Sequence, residues 1–290
     1  PPPPPPPHPP PPPPRHHHYS VTSAASDVYK RQVADGPDGQ WAVGEGGLLL
    51  HIDPATSKGS PSLLRDGESA PDLNAVTNAG DTLFAVGNAG TFARYVDETW
   101  SEVSPETDAD LYAVCASSTG EAWLAGAGGA FMHYDTDALT SLAGPDERDI
   151  QALLCDADGL WAAGADGLLA HYAEGEWSVV DIGDDPRLLT VKRIDGVLYV
   201  AGLRGTVLRQ ESDGSFTELK ISGSPAVYIL SENADGDIVA AGRAGRVVRL
   251  EGDTWVEEQS GTEAQLRDSV RTASGLLVVG EGGTVLFQAD

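Results

Sequence analysis

The chain has 290 residues, with 44 Asp and Glu against 18 Lys and Arg, a formal net charge of −26 and a pI near 4.3. So acidic a field opposes non-specific attraction to nucleic acid or to an anionic membrane surface. No apolar run approaches the roughly 18 residues of a membrane helix, and two Cys, one Met and abundant Gly fit an exported bacterial protein, periplasmic or extracellular.

Pro1 to Pro14 hold thirteen prolines and one His, and the following segment to Gln32 shows neither strand nor helix periodicity. Residues 1–32 are therefore expected to stand outside the fold, as a disordered or proline-rich segment. The run "SAASDVYKRQ" resembles the in-frame translation of a sequencing adapter, and the segment is read as an assembly scar. On that reading the natural N-terminus and any signal peptide are missing. A natural polyproline arm is the other reading.

From Val33 to Asp290 one string recurs. "WAVGEGGLLLH" returns as "FAVGNAGTFAR", "WLAGAGGAFMH", "WAAGADGLLAH", "YVAGLRGTVLR", "VAAGRAGRVVR" and "LVVGEGGTVLF". The glycine opening each turn stands at 44, 87, 126, 164, 202, 242 and 280, a period near 40. The apolar runs are about five residues long and bounded by Gly, Asp and Asn, which argues strands rather than helices. In the second unit they are Leu73 to Val76, Leu83 to Gly87, Thr91 to Val96 and Trp100 to Val103.

Four antiparallel strands per 40 residues, seven times over, predict an all-β seven-bladed β-propeller spanning 33–290. The first unit is expected to enter at its second strand and the last to lack its fourth, leaving both end blades incomplete. The glycine turn is read as a hairpin with positive φ at its opening Gly. A phosphate loop would need a following helix N-terminus. Ala85, Ala125, Ala162, Ala201 and Ala240 keep the second strands thin, while Trp41, Trp123 and Trp161, three residues before their Gly, read as inter-blade packing.

Trp100, Trp177 and Trp255 lie 13 residues after their Gly, with Phe216 one later. Their settings "VDETW", "AEGEW", "EGDTW" and "SDGSF" look like worn Asp-boxes, in which a carboxylate tethers amides of its own turn. With the glycine turns, these strings resemble the propeller family of photosystem II stability and assembly factors and the bacterial-neuraminidase-type repeats. The resemblance covers nearly all of Val33 to Asp290 and implies an exported scaffold that holds a client protein, without cofactor or catalysis. Two other classes share the architecture: carbohydrate-active propellers, hydrolase or lectin, and structural modules of larger surface proteins. Spacing does not reveal which carboxylates converge, so the chain is read as more akin to a binder than an enzyme, and as a monomeric wheel.

His51, His133 and His171 share one register with Arg94, Arg209 and Arg249, the pattern of a repeated donor rather than a zinc cluster. Cys115 and Cys155 follow the first strands of neighbouring units. Equivalent positions of adjacent units can approach, yet a bridge needs Cα atoms within about 7 Å, and two buried thiols are the expected state. "DADG" (Asp156 to Gly159) and "NADGD" (Asn233 to Asp237) read as hairpins rather than calcium loops.

The least repetitive positions are the binding candidates. Of fifteen Lys and Arg after residue 32, eleven fall between Arg187 and Arg271. Arg204 and Arg243 stand at turn tips of consecutive units, where other copies carry Glu45, Asn88, Ala127, Ala165 and Glu281. With Arg246, Lys192 and Arg271 they are expected to form a basic sector for a carboxylate-rich protein partner. A second candidate is the channel mouth lined by Thr77, Cys115, Cys155, Lys192, Ser231 and Arg271.

Overall fold

The computed structural model describes residues 19–21, 29–53, 58–65, 70–103, 107–183, 186–233, 235–272 and 275–289, and of 19–21 the backbone alone. The expected proline arm and most of the adapter-like run fall outside the described residues.

Seven sheets, each of four antiparallel strands, make seven blades. Blade 2 is typical: Leu73–Ala79, Thr82–Gly87, Phe92–Val96 and Thr99–Val103, each paired with the next. The first strands of successive blades touch in a ring, including those of blades 7 and 1, so the wheel closes.

Both end blades are complete, which corrects the expectation from sequence. Blade 1 begins at Lys30–Gly36, because the backbone of Lys30 to Gln32 extends the pairing with Gly39–Gly44. Blade 7 consists of Leu266–Thr272, Gly275–Gly280 and Val285–Ala289, and its outer strand is Tyr19–Val21, which pairs with Val285–Ala289. The two ends of the described chain thus share one sheet, and the edge that an open sheet would expose is paired.

The apolar core is divided among seven seams, one per pair of neighbouring blades. Between blades 1 and 2, for example, Trp41, Val43 and Leu49 meet Leu83, Ala85 and Tyr95. At the closure, Val33, Leu48 and Leu50 meet Leu277, Val279 and Val285. Alternate residues of a strand point to opposite faces, so each sheet supplies one face to the seam before it and one to the seam after. The second-strand alanines fill their expected role and are fully buried. Trp41 packs on Tyr95 and Trp100 across a seam, and Trp161 on Phe216. Trp177 and Trp255 donate their indole N–H groups to Ala143 and Leu219 of the preceding blades, at 3.1 and 2.7 Å.

The opening glycines differ in cause from the sequence reading. Their backbone is extended, with φ near ±180° at Gly44, Gly126, Gly202 and Gly242. They are required by close approach: a Cβ on Gly164 would lie 2.0 Å from the carbonyl oxygen of Asp149, and the other six glycines meet the equivalent carbonyl at 1.9–2.2 Å. The next amide donates to that same oxygen, as in Ala165 to Asp149 at 2.9 Å. Positive φ falls later in the turn, at Gly46, Ala89, Gly128, Asp166, Arg204, Ala244 and Gly282 and at the glycine after each.

The Asp-box likeness also needs correction. In blades 2, 4 and 6 the turn between third and fourth strands is a two-residue hairpin, such as Asp97 (φ 49°) and Glu98 (φ 61°) between paired Val96 and Thr99. So short a turn fits the twist of the flanking strands and leaves no span of amides for a carboxylate to bridge. The tether exists in the longer turns, where Asp213 accepts from Ser215 N at 3.0 Å and Asp135 from Ala138 N at 2.8 Å.

Cys115 and Cys155 form a disulfide, with Cα atoms 5.6 Å apart, in place of the expected thiols. Strand parity explains it. Cys115 pairs opposite Trp123, whereas the residue opposite the corresponding Trp161 of blade 4 is Leu154. Cys155 is therefore one position out of register with Cys115. Residues in identical register point the same way around the wheel, and a one-residue offset turns two of them toward a common seam, here that of blades 3 and 4.

Candidate functional site

Each first strand opens with a buried aliphatic residue: Leu73, Leu111, Ile150, Leu188, Val227 and Leu266 in blades 2 to 7. In every blade the pairing register then slips by one, and the extra residue is Arg31, Asn74, Tyr112, Gln151, Leu189, Tyr228 and Arg267 in blade order. A β-bulge of this kind re-aims a side chain out of the alternating pattern. All seven bulge residues line one axial cavity of about 320 Å³. The buried neighbours repeat, whereas the bulge ring carries seven side chains of mixed chemistry.

The ring is pre-organised. Arg31 donates to Asp72 and to Asn74, both at 2.9 Å, and Glu45 lies 3.7 Å away. Asn74 in turn donates to Asn88 Oδ1 and to the Leu111 carbonyl, both at 2.8 Å. In blade 7, Arg267 pairs with Glu281 and lies over the Tyr228 ring of blade 6, 4.5 Å from its centroid. Burial pushes the Tyr112 hydroxyl above the usual range, and the carboxylates of Asp110 and Asp149 add to the effect.

A second cavity of about 350 Å³ opens at the other end of the axis, and Gln32, Val114, Leu153, Lys192 and Asp268 border both. Asp268 is buried and accepts the Val33 amide at 3.1 Å, tying blade 7 to blade 1. Burial raises its carboxyl above the usual carboxylate range, opposed by the charge of Lys192. Gln32 makes the same kind of tie onward, accepting from Val76 N at 3.0 Å.

The sequence-derived residues divide among three places. Arg204 and Arg243 are exposed on the face where first strands begin, as their turns bond Arg187 O and Ala226 O. They are not in one register: Arg243 is the first residue after its Gly and Arg204 the second, at φ 60°. Among the described residues neither has an ion-pair partner. Arg246 is on the same face but committed to Glu257 and the Ser222 carbonyl. Lys192 is in the channel waist, and Arg271 is near the opposite end, donating to Glu232 O at 3.3 Å. Thr77, Cys115, Cys155 and Lys192 do line that opposite mouth, while Ser231 and Arg271 are not among its walls.

The histidines stack on the second-strand tryptophans, His171 on Trp161 at 4.5 Å and His133 on Trp123 at 4.8 Å. His51 and His171 reach the carbonyls of Asp38 and Asp158 at 3.1 and 2.9 Å. In "DADG", Asp156 accepts the Asp158 amide at 2.9 Å, and in "NADGD" Asn233 Oδ1 accepts the amides of Asp235 and Asp237 at 3.0 and 2.8 Å, which is turn chemistry.

No protein-family model and no curated protein sequence matches the chain. Solved structures do. A catalytically inactive virginiamycin B lyase from Staphylococcus aureus with quinupristin superposes with a TM-score of 0.84 at 14% identity, covering 95% of this chain and all of that one. YCF48 bound to D1 peptide gives 0.77 at 16%, covering 94% and 95%. YCF48 from Cyanidioschyzon merolae gives 0.74 at 14%, covering 93% and 98%. At these identities the likeness is one of fold, and the fold hosts both an enzyme and a peptide binder.

Proposed function

We propose that the chain is a non-enzymatic, exported scaffold that binds a protein partner on the face carrying the glycine turns, with an extended segment of that partner entering the axial funnel. The observation that carries this reading is the bulge ring, seven side chains of five residue types delivered to one mouth by a device repeated in all seven blades. Hydrogen-bonding amides, phenols and guanidinium groups around a funnel suit a peptide's polar backbone and side chains. On the same face, Arg204 and Arg243 add exposed cations to an otherwise acidic wheel and favour a carboxylate-rich partner. The YCF48 structure with a bound peptide supports this use of the fold. A disulfide between blades suits an oxidising compartment.

The acids bordering the funnel favour this reading over a carbohydrate-active one. Glu45 and Glu281 face Arg31 and Arg267, and Asp268 holds the Val33 amide. Each serves the scaffold, so the ring presents polar recognition groups rather than a matched acid pair. The test is the double reversal Arg204→Glu with Arg243→Glu. Thermal stability should hold within a degree or two while capture of the physiological partner falls about tenfold. Unaltered capture removes this face from the reading.

A further inference from the structure

The seam between blades 3 and 4 departs from its neighbours. At two other seams the second-strand ring of one blade meets the third-strand tyrosine of the next: Trp41 and Tyr95 at 4.9 Å, Phe84 and Tyr134 at 5.7 Å. The same registers here are Trp123 and Tyr172. No ring contact joins them among the described residues, and both instead line a cleft of about 490 Å³. Leu160 and Cys155 line it too, with Ser117, Asp156 and Glu174 among its polar members. The Cys115–Cys155 bridge fixes the two blades to each other beside it. Tyr172 is braced by Phe131 and Trp177 at 5.6 and 5.0 Å, so the wall is set before any ligand arrives.

We infer that this cleft is a binding site for a small organic cation of the alkylammonium class, held between Trp123 and Tyr172 and balanced by Glu174. Two half-buried aromatic rings facing a space of this size suit a compact ligand with an apolar body. The charge follows from the carboxylates. Asp156 is already held by Arg193 at 2.7 Å, whereas Glu174, exposed at a hairpin tip with φ 54°, has no ion-pair partner among the described residues. The nearby guanidinium is committed, since Arg193 also approaches Asp158 at 3.5 Å, and the His133 ring lies stacked against Trp123 at 4.8 Å. An ammonium over aromatic faces is attracted by their quadrupoles, and most strongly where water is excluded. The site is independent of the glycine-turn face, since it opens beside the first hairpins of blades 3 and 4.

The test uses the full chain, with choline and its uncharged isostere 3,3-dimethylbutan-1-ol as probes in calorimetric titration. Choline should bind at least tenfold more tightly than the alcohol. Glu174→Gln, at an exposed position, should weaken choline severalfold with an unchanged unfolding midpoint, and Tyr172→Leu about tenfold. Equal binding of the two probes overturns the inference. So does the lack of saturable choline binding below about 10 mM, or affinity unchanged in both variants.

Discussion

Replacing Cys115 and Cys155 together by Ala opens a cross-link spanning a sequence separation of 40. In the chain-entropy description, a bridge closing a loop of that length removes about 13 cal/mol/K from the unfolded ensemble, or about 4 kcal/mol at 25 °C. Native domains are stable by only about 5–15 kcal/mol, so the bridge is a large share of the whole. A domain of this size shifts its melting midpoint by about 2 °C per kcal/mol, which gives a drop of about 8 °C. The folded wheel should survive, because the other six seams are untouched and Ala fits among the small residues of this one. Urea and thermal melts followed by circular dichroism, with and without a phosphine reductant, provide the assay. The reductant should lower the wild-type midpoint to roughly that of the variant and leave the variant unmoved. Coincident melts of oxidised wild type and variant would refute the reasoning, as would two free thiols by mass spectrometry.

Lys30 is fully buried, and among the described residues its Nζ has no hydrogen-bond partner, in a register that is aliphatic in the other six blades. Burial pushes its pKa below the usual lysine value. Lys30→Leu should therefore stabilise the fold by about 1–3 kcal/mol at neutral pH, read from denaturant midpoints. A lowered folded pKa means the unfolded chain binds more protons, so wild-type stability should rise with pH through the window below 10.5 and the advantage of Leu should shrink there. An advantage independent of pH would mean that packing alone is responsible. A contrast of two glycines tests the cause of the repeat: Gly164→Ala, against the Asp149 carbonyl, should cost at least about 2 kcal/mol. Gly46→Ala, at φ 62° with open space around it, should cost about 1 kcal/mol from its left-handed backbone alone. Equal losses at both sites would defeat the close-approach argument.

The repeat, its strand content and the residues of the seams were legible in the sequence because they are local. A glycine every 38 to 43 residues, an alanine before it and an aromatic ring three positions back recur whatever the blades do in space. The bulge ring also left a trace, in the varied residue between a repeated aliphatic and the following small or polar one, as in "LNAV", "LYAV" and "IQAL". A register slip leaves no mark in composition, so that varied residue read as ordinary alternation. Tertiary structure alone decided the rest. Closure places Tyr19–Val21 beside Val285–Ala289 and Asp268 beside Val33, pairings between opposite ends of the chain that no local pattern encodes. Parity around the wheel turns Cys115 and Cys155 toward each other, while position along the blade leaves Arg204 and Arg243 exposed on the glycine-turn face, Lys192 in the channel waist and Arg271 near the opposite end. Sequence fixes the direction of a side chain relative to its own strand; only assembly of the sheets fixes which neighbour that direction meets.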